Sequence, residues 1–389
     1  MTFQPNSLMD RALQAAAVAA KHAEAVDREG RFPREARRAI AEARLFGAMI
    51  PKQFGGDGAS LAEIAEVCCQ LAHGCASTAM IYAMHQIKVS SLVAHGVGAP
   101  WHEEYMRRVV REQLLLGSAT TEGGIGGDLR NSICAVVTEG DRFTLEKNAT
   151  VISYGDDSDA ILVTARRAPD AASSDQVMVV LRKEDYTIEK TVGWNTLGMR
   201  GTCSDGYLLK GAAGVEQILP LPFAEIAAQS MLAMAHLLWS SLWYGIAASA
   251  AIKAQNFVRA EARKTPGKVP PGAMRVAEMN SKLQLMRSVV LDGIRRYEDA
   301  REGGDDLGSV PFVVAMNNVK IGASQTMLEV INIAMNVCGI WGYKNDSPYS
   351  LCRELRDAYS APVQINNDRI LGNSSSLLLM NRIDTRLVI

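Results

Sequence analysis

The sequence has no excess of charge, with 41 Lys plus Arg against 42 Asp plus Glu. A balance that close gives no electrostatic argument for nucleic acid or an anionic membrane as partner. It lacks a Cys-x-x-Cys pair and any Cys/His cluster at metal-ligand spacing, because Cys68, Cys69, Cys75, Cys134, Cys203, Cys338 and Cys352 are scattered. They read as reduced, mostly buried thiols of a cytoplasmic protein, with no metal site. Met1 to Asp10 has no basic patch followed by an apolar run, so no secretory signal is expected. The most apolar stretch, Met231 to Ala251, is interrupted by His236 and several serines, which favours a buried helix over a membrane span. Internal repeats are absent, and so is strand–helix alternation, which argues against a doubly wound nucleotide fold.

What is present is a chain of 389 residues, too long for one comfortable core and suited to two or three domains. Residues 1–115 read as helix after helix, with apolar positions at helical spacing through Asp10 to Ala25 and Arg34 to Leu45. Ser60 with Glu63 forms a predicted capping box. From 116 to 222 the texture changes to short β-type runs, clearest at Cys134–Thr138, Ala160–Ala165 and Gln176–Leu181. Thr138 to Thr144 reads as a hairpin turn. Helix returns over 223–389, in long segments at 223–264, 273–302 and 310–338 followed by a final pair. The expected fold is therefore α+β and multidomain: an N-terminal helical domain, a middle antiparallel β-domain and a C-terminal helical bundle.

Four segments carry a family resemblance. Thr121-Glu-Gly-Gly-Ile-Gly-Gly-Asp128 resembles the Thr-Glu-Pro-Gly-Ala-Gly-Ser-Asp loop that opens the β-domain of acyl-CoA dehydrogenases. Leu197-Gly-Met-Arg-Gly-Thr-Cys-Ser204 is similar to the family's Leu-Gly-Met-Arg-Gly-Thr-x-Ser run. Ala262-Arg-Lys-Thr-Pro-Gly-Lys268 resembles its Glu-Arg-x-x-Phe-Gly-Lys turn, and Gly339-Ile-Trp-Gly-Tyr343 followed by Arg356-Asp-Ala358 resembles its Gly-Gly-x-Gly-Tyr and Arg-Asp-Ala pair. The resemblance implies an FAD enzyme that oxidises an acyl thioester to its α,β-unsaturated product. It implies flavin contacts from Ser118, Thr120 and Thr121, and from Ile152 and Ser153, with Val151 in place of the family's Trp. Arg263 and Thr265 would hold the FAD pyrophosphate of a neighbouring subunit, and Asn336, Gly339 and Gly342 the adenosine end. Sites shared in this way imply a homodimer or homotetramer. An electron-transfer flavoprotein or a flavin reductase would be the redox partner.

The reaction needs a base for the α-proton and hydrogen bonds that acidify it. The family's Glu position falls on Asn367 here, and an amide cannot abstract a proton. Asp368, one residue on, and His236, in the region where other members keep their Glu, are the candidate bases. Asp346 ranks behind them, and the expectation there is a cap for a helix whose first turn contains Pro348. His85 lies where related monooxygenases place a pocket histidine. Three readings follow: a dehydrogenase with a displaced base, a monooxygenase of the same fold fed with reduced flavin, and a base-less FAD-binding subunit of a heteromeric dehydrogenase.

Overall fold

The computed structural model describes residues 7–126, 128–264, 266–383 and 385. Five helices come first: α1 (Leu8–Glu29), α2 (Arg34–Glu42), α3 (Leu61–Gly74), α4 (Ala76–His95) and α5 (Pro100–Glu112). Reciprocal capping boxes start two of them, Ser7 with Asp10 on α1 and Ser60 with Glu63 on α3, each satisfying end amides that a helix leaves unpaired. α4 is buried on nearly every side, so it is a central element and not a surface one.

Seven strands follow: β1 (Leu116–Ala119), β2 (Val137–Glu139), β3 (Arg142–Ile152), β4 (Ala160–Arg166), β5 (Gln176–Arg182), β6 (Tyr186–Val192) and β7 (Asp205–Gly214). They form two sheets, β1-β4-β5 and β2-β3-β7-β6. The predicted hairpin is β2–β3, closed by Gly140-Asp141 with Gly140 at φ +63°. All pairings are antiparallel except β1 with β4. The run from Cys134 is extended over a shorter length than its composition predicts. Only Val137–Glu139 ladder with β3, while Cys134 and Val136 bond to Arg166 through an isolated bridge.

Alternation along β4 and β5 decides the layering. Ala160, Leu162, Met178 and Val180 face the helical core. Ile161, Val163, Val177, Val179 and Leu181 face the second sheet, against Phe143, Leu145, Tyr207 and Leu209. A three-stranded sheet covered on both faces reads as a continuous apolar run in sequence, which is how these strands appear.

The last part is helical: α6 (Phe223–Ile226), α7 (Leu232–Lys264), α8 (Ala273–Gly303), α9 (Val310–Cys338), α10 (Ile340–Tyr343), α11 (Cys352–Ala358), α12 (Ser360–Val363) and α13 (Asn367–Met380). The predicted single helix over 223–264 is interrupted by a π-turn at Ala227–Met231. The most apolar part of α7 is buried between α3, α4, α8 and α9. Asp346 does not cap a helix. It is exposed beside Lys344 (3.7 Å), and α11 begins only at Cys352.

Candidate active site

The glycine-rich loop after β1 is folded from inside by a carboxylate. Glu122 is buried and accepts from Ser132 Oγ (2.8 Å), Ile133 N–H (3.0 Å) and Cys134 N–H (2.7 Å), with the Lys147 ammonium at 3.4 Å. Gly123 N–H donates to the Asn148 carbonyl (3.0 Å). Beyond this anchor, Gly124 and Gly126 have positive φ (+92° and +60°), and the amides of Gly124, Ile125 and Gly126 bond to no acceptor among the described residues. Unspent amides on a loop are ready donors for a heteroatom-rich or anionic group. Half-buried Ser118 and Thr120 lie at its base. Unspent amides and hydroxyls at one edge are the donors that a flavin ring requires, and the loop fits that group.

Other residues assigned to the slot are already spent. The Thr121 hydroxyl donates to Val151 O (3.0 Å) and accepts from Val151 N–H (3.2 Å), so it ties the loop to β3. Ile152 is fully buried in the core between the sheets, so its side chain does not face the slot. Ser153 is half-buried and shares a hydrogen bond with Ser204 (2.8 Å), which bonds to Thr202 (2.8 Å).

The Leu-Gly-Met-Arg-Gly-Thr run is a clamp. Asp357 Oδ1 accepts from Met199 N–H (2.6 Å), and Ser77 Oγ accepts from Gly201 N–H (3.2 Å). A Cβ on Gly198 would come within 2.2 Å of the Arg356 carbonyl, so only glycine lets the loop and α11 approach this closely. Arg356 pairs with Asp27 of α1. Burial pushes the Asp357 carboxyl up to about 7, against the lowering effect of the Met199 N–H bond. The Arg-Asp-Ala pair therefore joins three layers of the fold.

The candidate bases separate. Asn367 is buried: its Oδ1 accepts from Lys320 Nζ (2.7 Å) and its Nδ2 donates to Ser324 Oγ (3.1 Å). Lys320, fully buried on α9, also donates to the carbonyls of Ala361 (3.1 Å) and Ile365 (2.8 Å) and sits 5.7 Å over the Trp243 ring. Burial lowers this ammonium to about 8. Asn367 is thus one wall of an ammonium cage and not a catalyst. His236 is a core histidine of the α7–α9 seam, with Nδ1 3.3 Å from the Met316 carbonyl. Burial, and then the Lys320 charge, hold it near 4, so it is neutral and weakly basic at pH 7. Asp368 is exposed in the first turn of α13, where Asn366 Oδ1 accepts from its backbone N–H (2.8 Å). Its neighbour Arg369 donates to Gly126 O (2.5 Å), so this turn lies against the glycine-rich loop.

His85 is closed to chemistry by its partners. Leu116 N–H donates to Nδ1 (3.0 Å), which places the proton on Nε2 for the Phe46 carbonyl (2.8 Å). Burial lowers it to about 4. Sequence reasoning passed over Lys320 altogether. The available signal was that it and Glu329 are the only charged residues in the 29-residue α9.

At the far end of the bundle, a Cβ on Gly272 would lie 3.1 Å from Val258 and 3.4 Å from Val337, so α7 and α9 end side by side. Arg263, Asn336 and Gly339 are exposed there, and Arg263 has no ion-pair partner among the described residues. Gly342 is buried instead, with room only for hydrogen between Cys338, Met335 and Leu351, and shapes the turn without lining the surface. Thr265 lies outside the described residues.

Residues 9–113 match the acyl-CoA dehydrogenase N-terminal domain, and residues 226–363 match the acyl-CoA dehydrogenase C-terminal domain. Cyclohex-1-ene-1-carbonyl-CoA dehydrogenase of Geobacter metallireducens is 24% identical over 357 residues, covering 89% of each chain. The 3-(aryl)acrylate reductase of Clostridium sporogenes is 23% identical over 340 residues, covering 86% of this chain and 87% of its own. Among solved structures, FMN-bound TdsC of Paenibacillus sp. A11-2 superposes with a TM-score of 0.83 at 19% identity, covering 98% and 99% of the two chains. Butyryl-CoA dehydrogenase of Megasphaera elsdenii gives 0.80 at 18%, covering 97% and 100%.

Proposed function

This chain belongs to the acyl-CoA dehydrogenase family, and from that premise we propose that it is a flavin-dependent oxidoreductase that introduces an α,β double bond into an acyl thioester. The observation that carries the reading is the packing of the first turn of α13 against the glycine-rich loop through Arg369 and Gly126. That contact supports Asp368 over His236 as the base, because the exposed Asp368 belongs to the turn that meets the loop whose unspent amides fit a flavin, while His236 is buried in the α7–α9 seam. A bound flavin supplies the acceptor for the hydride that leaves the β-carbon. The chain's own residues do the rest. Asp368 takes the α-proton, the Lys320 cage fixes the turn that carries it, and the loop amides and the hydroxyls of Ser118 and Thr120 hold and orient the ring.

We assign the flavin as FAD because Arg263, Asn336 and Gly339 form an exposed donor group at the converging ends of α7 and α9. A guanidinium in that place suits a pyrophosphate with paired donors. Ile340, Trp341 and Tyr343 beside it are 64%, 49% and 72% exposed, which supports a second copy of the chain docking there. An electron-transfer flavoprotein would accept the two electrons that such a flavin takes up with the hydride.

One observation favours a second reading. Position 367 holds a buried amide where a family base is expected, so a monooxygenase using reductase-supplied reduced flavin also suits this site. Anaerobic titration of the purified holoprotein with acyl-CoA thioesters, following the visible flavin band, separates the two. Bleaching supports the dehydrogenase. An unbleached flavin, with oxygen uptake once the flavin is reduced externally, would replace it with the monooxygenase. Inactivity in both assays, relieved by a co-purifying homologue, would point to a base-less subunit.

A further inference from the structure

One face of α4 carries Met80, Met84, Lys88, Ser91 and His95, at spacings of four, four, three and four residues. The two ends of this stripe have different partners. Met80 Sδ accepts from Gln364 Nε2 (3.5 Å), three residues before Asn367. Ser91 and His95 reach Ser230 Oγ (3.2 and 3.0 Å) in the π-turn at the entrance to α7. Between Ala76 and Leu92 every residue of α4 is buried except Met84, which is half-buried at the middle of this face.

Lys88 lies one turn beyond Met84 and is 6% exposed. Its ammonium has three donors, and the one partner among the described residues is the Met231 thioether at 3.5 Å, a weak acceptor. No carboxylate pairs with it among the described residues. His95, two turns on along the same face, adds no negative charge, and burial and then the Arg301 cation lower its basicity. A buried cation without a counter-charge is costly unless a bound group completes it. Lys320, equally buried, shows the contrast, since three oxygens surround it.

We propose that Lys88 is the chain-end anchor of the substrate, and that the substrate is an acyl thioester carrying a carboxylate at the end remote from sulfur. This rests on the acyl-thioester reading above. The eight residues from Met80 to Lys88 span about 12 Å of helix at 1.5 Å per residue. An extended chain advances roughly 1.2 Å per bond, so a thioester beside residues 364–368 would place a carboxylate at Lys88 through about six to ten carbons. A methyl-ended chain of that length leaves the ammonium unpaired, which sets the selectivity.

The test compares ω-carboxyacyl-CoA with methyl-ended acyl-CoA of matched length, about six to ten carbons, on the holoenzyme and on Lys88→Met. Wild type should favour the carboxylated partner by roughly tenfold to a hundredfold in kcat/KM, the range of a charge-assisted hydrogen bond. Lys88→Met should invert that preference, and Lys88→Arg should keep its sign. An unchanged ratio in Lys88→Met, or a wild type that prefers methyl ends, overturns the anchor. Thermal shift with the same thioesters separates this from failure of the dehydrogenase reading. If no thioester bleaches the flavin, the parent reading falls. The anchor then stands only if the carboxylated thioester raises the melting temperature of wild type more than its methyl-ended partner does, with the difference lost in Lys88→Met.

Discussion

Replacing Lys320 with Met removes the donor that closes the turn between α12 and α13. Three acceptors, Ala361 O, Ile365 O and Asn367 Oδ1, lose the ammonium at once, and among the described residues only Asn367 Oδ1 keeps another donor, Ser324 Oγ at 3.5 Å. An unsatisfied buried acceptor costs about 1–3 kcal/mol, so the gross loss is roughly 3–9 kcal/mol. Against that, the variant no longer desolvates an ammonium, a saving of several kcal/mol. Ile365 also sits at φ +47°, a strained value for a β-branched residue, and it relaxes once its carbonyl is released. The net expectation is a destabilisation of about 2–4 kcal/mol, read as a lower urea midpoint with an unchanged slope. Amide exchange should rise across residues 360–370, where Gln364 and Ile370 now bond to Ser360 and Asn366. Lys320→Met combined with Asn367→Leu should recover part of the loss, because replacing both partners removes an orphan acceptor. A midpoint shift worth under about 0.5 kcal/mol, with unchanged exchange in this turn, would refute the cage as the device that positions α13.

Asp357 gives a pH test. Its folded carboxyl is raised above the unfolded carboxylate value to about 7, so the folded state holds the proton more tightly. Stability is then full below about pH 4 and falls as pH rises toward 7, by up to about 1.4 kcal/mol for each pH unit crossed. Asp357→Asn, which keeps an oxygen for Met199 N–H, should flatten that slope in denaturation curves between pH 4 and 7; a parallel slope would exclude Asp357 as its source. Asp368→Asn should cut turnover by at least about a hundredfold, as expected for a lost general base, while the visible flavin spectrum stays intact; wild-type rates would remove Asp368 from the mechanism. Arg263→Ala should lower flavin occupancy after gel filtration at micromolar protein, and a fully loaded variant would count against the pyrophosphate assignment.

The helical and strand periods, the capping residues and the turn glycines were legible along the chain because they are local. Ser60 with Glu63 starts a helix wherever that helix packs, and Gly140 turns a hairpin by its own φ. The four motifs placed the chain in its family for the same reason, since each is a short run that keeps its order. Roles set by distant partners could not be read in this way. His85 looked like a pocket histidine until Phe46, 39 residues away, and Leu116, 31 residues away, took both nitrogens. Ile152 is adjacent to a flavin-slot serine in sequence, yet strand alternation sends its side chain into the opposite core. Asn367 and Asp368 differ by one position, and one α-helical step makes the first a buried cage wall and the second an exposed carboxylate. Lys88 and Lys320 carry no sequence signature beyond a charge in an apolar helix. The sequence by itself settled the order of helical, strand and helical regions and the family they belong to, because those depend on neighbours in the chain. Tertiary structure alone decided which polar groups are spent and which remain free, because burial removes water and leaves each donor only the acceptors that folding brings beside it.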